Sequence, residues 1–449
     1  MEKISLKEIA EHLGVNAPID AEITEFSTDT RNLPEGCLFL ALRGKKFDGH
    51  HFVKQAIEAG AVAAVTDTQI EDLPCLVVAD TGQALLDIAS LYRQKFEIPV
   101  VAVTGSVGKT TTKELTACVL SEKFTTLKTE ANLNNEIGMP KTLFGLTNEH
   151  GACVLEMGMN HFGEISRMSR SAQPTIAIIT NIGFSHVENL GSQEGIKKAK
   201  LEILEGMKPD APLITNADDA LLKTLRTELS RPVYTFSTEG NPADVSAEDI
   251  KEENGVTTFT LCHGEKKLLA VLPAVGEHNV RNALAAYLAG TLTGMNDQEI
   301  LCGLARYQPT GMRQNIMEKN GQTIIADCYN ASPDSMRAGL NVLKNYVCEG
   351  RKIAVLGDML ELGDMSEELH AKVGEMARNA GLDLLFCYGT AAKTIAGNAG
   401  TDVKIFCTDD ADVLTGKLRE TVREGDVVFF KASHGMHLEN IIKNLYGEI

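Results

Sequence analysis

Two patterns of hydrophobic and polar positions alternate along the middle of this chain. Continuous apolar, β-branched runs, typical of strands buried on both faces, occur at 98–104, 152–156, 175–181 and 212–215. Helical spacing of apolar residues predicts helices over 109–122 and 194–207. Strands that alternate with helices predict an α/β fold with a mostly parallel sheet and helices on both of its faces.

The two ends of the chain repeat this alternation in separate blocks. Near the N-terminus, Leu6, Ile9, Ala10 and Leu13 have helical spacing, and short β-like runs at 37–42 and 61–65 flank a turn-rich loop at 43–50. The last block predicts strands at 323–327, 352–357, 384–388, 404–407 and 426–430, and helices at 334–346, 366–380, 411–423 and 437–446. Residues 231–272 are β-rich and polar and predict a meander or an insert. We therefore predict three domains, at 1–96, 97–309 and 310–449.

Composition narrows the class of protein. The 449 residues are 43% hydrophobic and 23% charged, as in a soluble globular protein, and the net charge of −18 argues against binding to nucleic acid or to an anionic membrane. No segment approaches about 18 consecutive apolar residues, so we expect no membrane insertion, and the charged N-terminus does not resemble a signal peptide. Ten cysteines without a C-x-x-C pair indicate reduced thiols in a cytoplasmic protein.

A phosphate-binding loop is the strongest motif in the chain. It follows a predicted strand, opens a predicted helix and contains Thr104, Gly105, Ser106, Val107, Gly108, Lys109, Thr110 and Thr111. Its backbone N–H groups can surround a phosphate chain, the lysine can neutralise the terminal phosphates, and the Thr110 hydroxyl can reach Mg²⁺. The general pattern has a glycine where this chain has Val103. The loop predicts nucleotide binding but does not specify a reaction.

Three further residues are candidates for a metal site. Glu156 ends an apolar strand and His186 follows another, so both should lie at the ligand-binding edge of the sheet, although Glu156 could instead cap a turn. Lys200 lies between Ala199 and Leu201 and can point inward, unlike the neighbouring lysines. It could act as a cation, or react with CO₂ to form an anionic carbamate, and these residues alone leave both possibilities open.

Several motifs together resemble the Mur ligase family. They are TGSVGKTTTK at 104–113, LEMG at 155–158, TNIGFSH at 180–186, AKLEI at 199–203 and GEHNVRNA at 276–283. The resemblance implies an N-terminal domain that binds a UDP-linked muramoyl peptide, a central ATPase domain and a C-terminal Rossmann-like domain. It also implies ATP and Mg²⁺ as requirements, and an acyl phosphate that is attacked by an incoming amine.

Within the family, stretches at 27–31, 43–50, 132–138, 327–336 and 357–363 resemble the branch that adds D-alanyl-D-alanine to UDP-N-acetylmuramoyl-tripeptide. This function would place the protein in cytoplasmic peptidoglycan precursor synthesis, and we expect a monomer. A sister ligase that adds a diamino acid is the first alternative, but its Asp-Asn-Pro-Arg string is absent from the sequence. A non-catalytic nucleotide-binding protein is the second alternative.

The resemblance assigns roles residue by residue. It implies that Lys109 and Arg313 contact the ATP phosphates, and that the catalytic Mg²⁺ is held by Thr110, Glu156, His186 and a carbamylated Lys200. The adenosine contacts would be His278, Asn279, Asn282 and Asp327. The remaining matches imply substrate contacts at Ser27, Thr30, Arg31, Gly44, Asp48, Gly49, Asn132, Asn134, Asn135, Tyr329, Asn330 and Ser332.

Overall fold

The computed structural model describes residues 1–44, 47–253, 255–309 and 312–447.

The N-terminal part is a small α/β unit built on four parallel strands. The four-stranded sheet has the order β3-β4-β7-β8. The elements of this part are β1 (Ile4–Ser5), α1 (Leu6–Leu13), β2 (Glu22–Ile23), β3 (Glu25–Ser27), β4 (Cys37–Leu40), β5 (Arg43–Gly44), β6 (Phe47–Asp48), α2 (Val53–Glu58), β7 (Ala63–Thr66), β8 (Cys75–Val77) and α3 (Thr81–Arg93).

The predicted loop at 43–50 is more regular than the sequence suggested. Its described residues form the short antiparallel pair β5–β6, followed by a 3₁₀ turn over Gly49–Phe52. The side chain of Asp48 caps this turn by accepting a hydrogen bond from the backbone N–H of His50 at 3.0 Å. Gly49 packs so closely on Leu42 that an added Cβ would lie 2.8 Å from the Leu42 nitrogen. Lys45 and Lys46 lie outside the described residues.

The central part contains a nine-stranded sheet of order β10-β11-β9-β12-β13-β14-β15-β16-β17, parallel as far as β15. Its strands are β9 (Val100–Thr104), β10 (Thr126–Lys128), β11 (Ala152–Glu156), β12 (Ile176–Ile179), β13 (Leu213–Asn216), β14 (Val233–Ser237), β15 (Val245–Glu253), β16 (Val256–His263) and β17 (Lys266–Leu272). Its helices are α4 (Lys109–Leu120), α5 (Gly138–Phe144), α6 (Glu164–Ala172), α7 (Val187–Leu190), α8 (Gln193–Leu201), α9 (Leu225–Glu228), α10 (Glu277–Leu292) and α11 (Asp297–Ala305).

The predicted meander at 231–272 belongs to this sheet and is not a separate insert. Strand β14 continues the parallel sheet, and β15, β16 and β17 follow it, with β16 and β17 antiparallel. Phe259 and Leu261 of β16 point into the same apolar cluster as Val101 and Val103 of β9. One face of the meander is buried against this core, so hydrophobic residues alternate with polar residues along its strands.

The C-terminal part contains a six-stranded sheet of order β18-β19-β23-β20-β21-β22, in which the β18–β19 pair is antiparallel and the other pairs are parallel. Its strands are β18 (Asn315–Lys319), β19 (Gln322–Ala326), β20 (Lys352–Gly357), β21 (Leu384–Tyr388), β22 (Lys404–Thr408) and β23 (Val427–Lys431). Its helices are α12 (Pro333–Asn345), α13 (Ser366–Arg378), α14 (Ala392–Asn398), α15 (Ala411–Thr421) and α16 (Leu438–Tyr446).

The predicted strands and helices of this block are confirmed to within a few residues. Two elements were missed, β18 and α14. Strand β18 is a polar edge strand, and α14 has only seven residues, two of which are glycine and asparagine. The predicted domain start at Thr310 lies outside the described residues.

The three parts are packed against one another through a shared apolar cluster. It includes Tyr92 of α3, Leu143 of α5, Ile179 of β12 and Leu340 of α12. The hydroxyl of the buried Tyr92 donates to the carbonyl of Leu146 at 2.6 Å, which ties the N-terminal part to the central part. No helix in the described ranges is both long and apolar enough to cross a membrane.

Candidate active site

A cleft of about 2110 Å³ lies between the central and C-terminal sheets. The loops that follow β9, β11 and β12 line one side, at the carboxyl ends of these strands. This is the ligand-binding edge of an open parallel sheet. The opposite side is lined by the segment around Arg313 and by the start of α12. The substrate residues predicted at 27–49 do not line this cleft.

The backbone of the phosphate loop requires its glycines. Gly105 has φ +154°, and an added Cβ would lie 1.8 Å from Oγ1 of Thr180. Gly108 has φ +82°, and its Cβ would lie 2.8 Å from Oδ1 of Asn282. Val103 pairs with its neighbours inside β9, so the position where the general pattern has glycine is here part of the strand.

Lys109 starts α4 and folds back over the loop. Its Nζ donates to the carbonyl of Gly105 at 3.0 Å and to that of Ser106 at 3.4 Å. Burial lowers the pKa of Lys109, and nearby Arg313 lowers it further, whereas Glu156 opposes the shift. A phosphate chain bound in the loop would therefore meet two cations, one from each side of the cleft.

Glu156 is a buried carboxylate held by two side chains. Its Oε2 accepts a hydrogen bond from the Thr110 hydroxyl at 2.8 Å, and its Oε1 accepts one from Nδ2 of Asn134 at 2.8 Å. Among the other asparagines predicted here, Asn135 accepts a hydrogen bond through its Oδ1 from the N–H of Gly138, the first residue of α5, at 2.8 Å. Asn132 is exposed and does not line the cleft. Thr110 and Glu156 are 46 residues apart in the sequence, and the parallel sheet brings them into contact.

Lys200 is buried on α8 and points inward, as its apolar neighbours predict. It is 2% exposed and makes no hydrogen bond or ion pair with the described residues. Burial places the pKa of Lys200 well below its usual value, and the charge of Lys109 adds to this shift. In contrast, Lys197 pairs with Glu228 at 3.3 Å and Lys198 is exposed.

His186 lies in the loop after β12, in a left-handed conformation with φ +65°. Its Nδ1 lies 2.7 Å from Oε2 of Glu361, which belongs to the C-terminal part, although the angle is poor for a hydrogen bond. His186 lowers the pKa of Glu361. Within the described ranges no three His, Cys, Asp or Glu side chains form a metal-binding group.

The side-chain oxygens of Glu156 and Thr110 are nevertheless suitable ligands for Mg²⁺. This ion prefers hard oxygen ligands and usually binds through one or two carboxylates together with substrate phosphates and water. Glu156 and the Thr110 hydroxyl, 2.8 Å apart beside the phosphate loop, form such a partial set.

The start of α10 forms another wall of the cleft. Nε2 of His278 lies 2.9 Å from Oε1 of Gln314, and Nδ2 of Asn279 donates to the same oxygen at 3.1 Å. Burial lowers the pKa of His278, so its ring is neutral and has both donor and acceptor capacity. Asn282 accepts a hydrogen bond from the Thr112 hydroxyl at 3.1 Å, which joins α10 to α4. Gln314 was not identified from the sequence, because no motif contains it.

The C-terminal side of the cleft presents a second group of polar residues. The guanidinium carbon of Arg313 lies 4.1 Å from the centroid of the Tyr329 ring. Nζ of the buried Lys431 donates to Oδ2 of Asp327 at 2.7 Å and to the carbonyl of Asn330 at 3.0 Å. Ser332 caps α12, accepting from the N–H of Ser335. Lys431 was missed; its only sequence signal is a lysine that ends the apolar strand β23.

The predicted substrate residues of the N-terminal part form a separate polar surface. Arg31 and Asp29 form an ion pair, in which Nη2 of Arg31 donates to Oδ2 of Asp29 at 2.6 Å and Nε donates to Oδ1 at 3.0 Å. Ser27 donates from its hydroxyl to the Asp29 carbonyl at 2.9 Å. Asp48 pairs with Arg43, and its Oδ1 lies 2.7 Å from Nδ1 of His50. Thr30 is half-buried, whereas Gly44 is exposed on β5 and Gly49 is buried in the turn.

Comparison with known proteins defines the class. Three family models match in order along the chain: the Mur ligase family catalytic domain over 22–91, the Mur ligase middle domain over 103–290, and the Mur ligase glutamate ligase domain over 312–434. The chain belongs to the Mur ligase family.

Individual relatives agree on one activity. A UDP-N-acetylmuramoyl-tripeptide–D-alanyl-D-alanine ligase of Bacillus subtilis is 40% identical, with 93% of this chain and 92% of the relative covered. The enzyme of the same name from Escherichia coli is 37% identical, with 95% and 94% covered.

Two solved structures of MurF enzymes are also similar to this chain. The crystal structure of MurF from Acinetobacter baumannii matches with a TM-score of 0.91, 34% identity and 99% of both chains covered. MurF from Thermotoga maritima in complex with ADP matches with a TM-score of 0.86, 30% identity, and 94% and 96% covered. The three-domain α/β architecture predicted from the sequence is therefore confirmed.

Proposed function

We propose that this protein is an ATP-dependent ligase that joins D-alanyl-D-alanine to UDP-N-acetylmuramoyl-tripeptide, giving the pentapeptide precursor of peptidoglycan. The observation that carries the proposal is the cleft itself, where a phosphate loop on the central sheet faces Arg313 and Asp327 of the C-terminal sheet. Relatives named for this activity cover 93% and 95% of the chain. ATP, UDP-linked precursors and the dipeptide meet in the cytoplasm, which we propose as its location.

The proposed chemistry needs an activated carboxylate. A carboxylate does not form an amide with an amine in water, because its oxygen is a poor leaving group. Transfer of the γ-phosphoryl group from ATP gives an acyl phosphate, whose phosphate leaves readily when the amine attacks. The transferring group carries negative charge, which Lys109 and Arg313 are placed to stabilise from opposite sides of the cleft.

We propose that Mg²⁺ is held by Glu156 and Thr110, with His186 and a carbamylated Lys200 as further ligands. The ion would supply charge neutralisation for the phosphate oxygens. Lys200 supports this assignment, because a neutral buried amine with no protein partner is the form that reacts with CO₂. The hydroxyl of Thr110 already contacts the Glu156 carboxylate, so both oxygens are oriented before ATP binds.

For the nucleotide, we propose that His278, Asn279 and Asn282 contact adenine and that Asp327 contacts the ribose. The backbone of the loop from Thr104 to Thr111 would hold the phosphates. Lys431, which orients Asp327, is proposed as a supporting residue.

For the other substrates, we propose that the dipeptide lies near Tyr329, Asn330 and Ser332, and that the tripeptide contacts the asparagines of the 132–138 loop. The uridine nucleotide would contact Ser27, Thr30, Arg31, Gly44, Asp48 and Gly49. We also propose the domain bounds 1–96, 97–309 and 310–449. The three family-model matches fall inside these bounds, which supports them.

The test is phosphate release from ATP with the purified protein, with each substrate omitted in turn. We expect release only when the UDP-muramoyl-tripeptide and D-alanyl-D-alanine are both present, and a pentapeptide product by mass spectrometry. Release that requires a diamino acid and the dipeptide nucleotide would favour the sister ligase. ATP binding without turnover on any muramoyl precursor would favour a non-catalytic protein.

A further inference from the structure

Asp334 lies where the central and C-terminal sheets meet, directly opposite the phosphate loop. It is in the first turn of α12 and lines the cleft. A Cβ added to Gly183, in the loop after β12, would lie 2.1 Å from Oδ2 of Asp334 and 3.2 Å from Cβ of Ser106. The carboxylate of Asp334 therefore reaches across the domain boundary to within one side-chain length of the phosphate loop.

The two oxygens of this carboxylate are in different situations. One oxygen, Oδ1, pairs with Nη2 of Arg337 at 2.6 Å. The other, Oδ2, is buried and makes no well-formed hydrogen bond with any residue that the structure describes, although the backbone N–H groups of Phe184 and of Asp334 itself act to lower the pKa of the carboxyl group. Burial raises the pKa of Asp334, with Arg337 opposing this shift and Asp219 adding to it.

The neighbouring carboxylate shows that this arrangement is specific to Asp334. Asp219 lines the same cleft, but its Oδ2 accepts from the N–H of Ile182 at 2.7 Å and its Oδ1 from the N–H of Leu221 at 2.9 Å. It is a structural carboxylate with both oxygens occupied. A buried acceptor left without a donor is costly, so Oδ2 of Asp334 is arranged for a group that arrives with the substrates.

The chemistry of that group follows from its surroundings. Bound phosphates are anions, so a carboxylate beside them is stabilised by a cation that contacts both. An ammonium group has three N–H donors and can contact both anions at once. Under the proposed function, the incoming dipeptide brings such a group, and its nitrogen must lose a proton before it can act as a nucleophile.

We propose that Asp334 binds the α-ammonium group of the incoming dipeptide and accepts its proton as the amine attacks the acyl phosphate. In this step the nitrogen–carbon bond forms and the carbon–oxygen bond to phosphate breaks. The electron pair of the broken bond leaves with the phosphate. Of the two protons that the nitrogen loses, one passes to Oδ2 of Asp334 and later to solvent, and the other passes to the leaving phosphate. This inference rests on the proposed ligase function.

A structural role for Asp334 is the competing explanation. A carboxylate in the first turn of a helix interacts favourably with the helix dipole, and Arg337 at i+3 pairs with it. Loss of this role would lower stability and every activity of the enzyme together. A catalytic role would affect only attack by a charged amine.

Hydroxylamine separates these roles, because it is uncharged at neutral pH and attacks an acyl phosphate without losing a proton to a base first. We would measure dipeptide ligation and hydroxamate formation for the wild type and for Asp334→Asn, each with ATP and the UDP-muramoyl-tripeptide. Asp412→Asn is the matched control, because Asp412 is an exposed aspartate in the first turn of α15. The hydroxamate signal also reports whether each variant is folded.

We expect Asp334→Asn to lower kcat for ligation about 100-fold or more, the usual effect of losing a general base, while hydroxamate formation stays within about 3-fold. Asp334→Glu should recover part of the ligation rate, and Asp412→Asn should resemble the wild type. Equal loss of both products in Asp334→Asn, or ligation near the wild-type rate, would overturn the proposal. If the wild type forms neither product, the ligase function itself has failed and this inference with it.

Discussion

Nδ1 of His186, in the central part, lies 2.7 Å from Oε2 of Glu361, in the C-terminal part. The contact crosses the boundary between the two sheets, and both residues have positive φ angles, +65° and +62°. Beside this pair, Gly363 packs on Glu188, the second residue after His186. A histidine whose Nδ1 lies beside a carboxylate has Nε2 as the nitrogen available to a metal ion.

Removal of the Glu361 charge should therefore weaken the proposed metal site at His186. We expect Glu361→Gln to raise the Mg²⁺ concentration for half-maximal phosphate release about 10-fold, the typical effect of losing a carboxylate behind a ligating histidine. Glu375→Gln, an exposed change on α13, is the control. An unchanged Mg²⁺ requirement would mean that Glu361 does not support the proposed metal site.

Gly183 offers a test of how closely the domains must approach. Its added Cβ would lie 2.1 Å from the Asp334 carboxylate. In Gly183→Ala, either that carboxylate rotates away or the domains separate slightly. We expect the KM for the dipeptide to rise about 10-fold, with ATP binding by titration calorimetry little changed. The control is Gly416→Ala, because a Cβ at Gly416 meets no atom within 4 Å. An unchanged KM for the dipeptide in Gly183→Ala would show that the interface between the domains accommodates the added methyl group without weakening dipeptide binding.

Residues close to strand ends could be predicted from the sequence, because local pattern places them. Glu156 directly follows an apolar run, and the phosphate loop lies between a strand and a helix, so both positions follow from the chain order of a parallel sheet. Lys200 could also be predicted, since Ala199 and Leu201 mark the inward side of its helix.

The residues that were missed depend on contacts between separate parts of the chain. Gln314 meets His278, Glu361 meets His186, and Asp334 meets Gly183 only after the domains dock. No periodicity or motif reports such pairings. Lys431 is similar, since its partner Asp327 precedes it by 104 residues and directly follows the neighbouring strand β19.

The contact between Arg313 and Tyr329 should position the arginine over the cleft. The guanidinium carbon lies 4.1 Å from the ring centroid, close enough for a cation–π interaction, which is typically worth about 1 kcal/mol. We expect Tyr329→Ala to lower kcat about 5-fold by freeing Arg313. Tyr329→Phe keeps the ring and should stay close to the wild type at saturating substrates. Similar losses in the two variants would assign the effect to the hydroxyl.

The carbamate proposal predicts a specific pattern of rescue at Lys200. We expect Lys200→Ala to lose phosphate release about 100-fold or more, because an oxygen ligand of Mg²⁺ is removed. Added bicarbonate should not restore activity, since the amine that would react with CO₂ is gone. Short carboxylic acids such as acetate should restore part of it by occupying the vacated space. Near-normal turnover of Lys200→Ala would exclude the proposal.

Lys200 should lower the stability of the folded protein even though it is needed for activity. Burial lowers its pKa in the folded protein, so at neutral pH the unfolded chain binds a proton more readily than the folded one. This amine therefore destabilises the folded state increasingly as the pH falls below its unfolded pKa of about 10.4.

Replacing Lys200 by methionine removes that cost and leaves an unbranched side chain that is one atom shorter. We expect Lys200→Met to raise the free energy of unfolding at neutral pH by about 1–3 kcal/mol while abolishing ligation. The gain should shrink as the pH is raised toward 10, because the unfolded chain then loses the same proton. The measurement is the midpoint of thermal unfolding between pH 7 and pH 10 in bicarbonate-free buffer, with Lys198→Met on the exposed side of α8 as the control. A lower midpoint for Lys200→Met at every pH would mean that the folded protein stabilises the charged lysine.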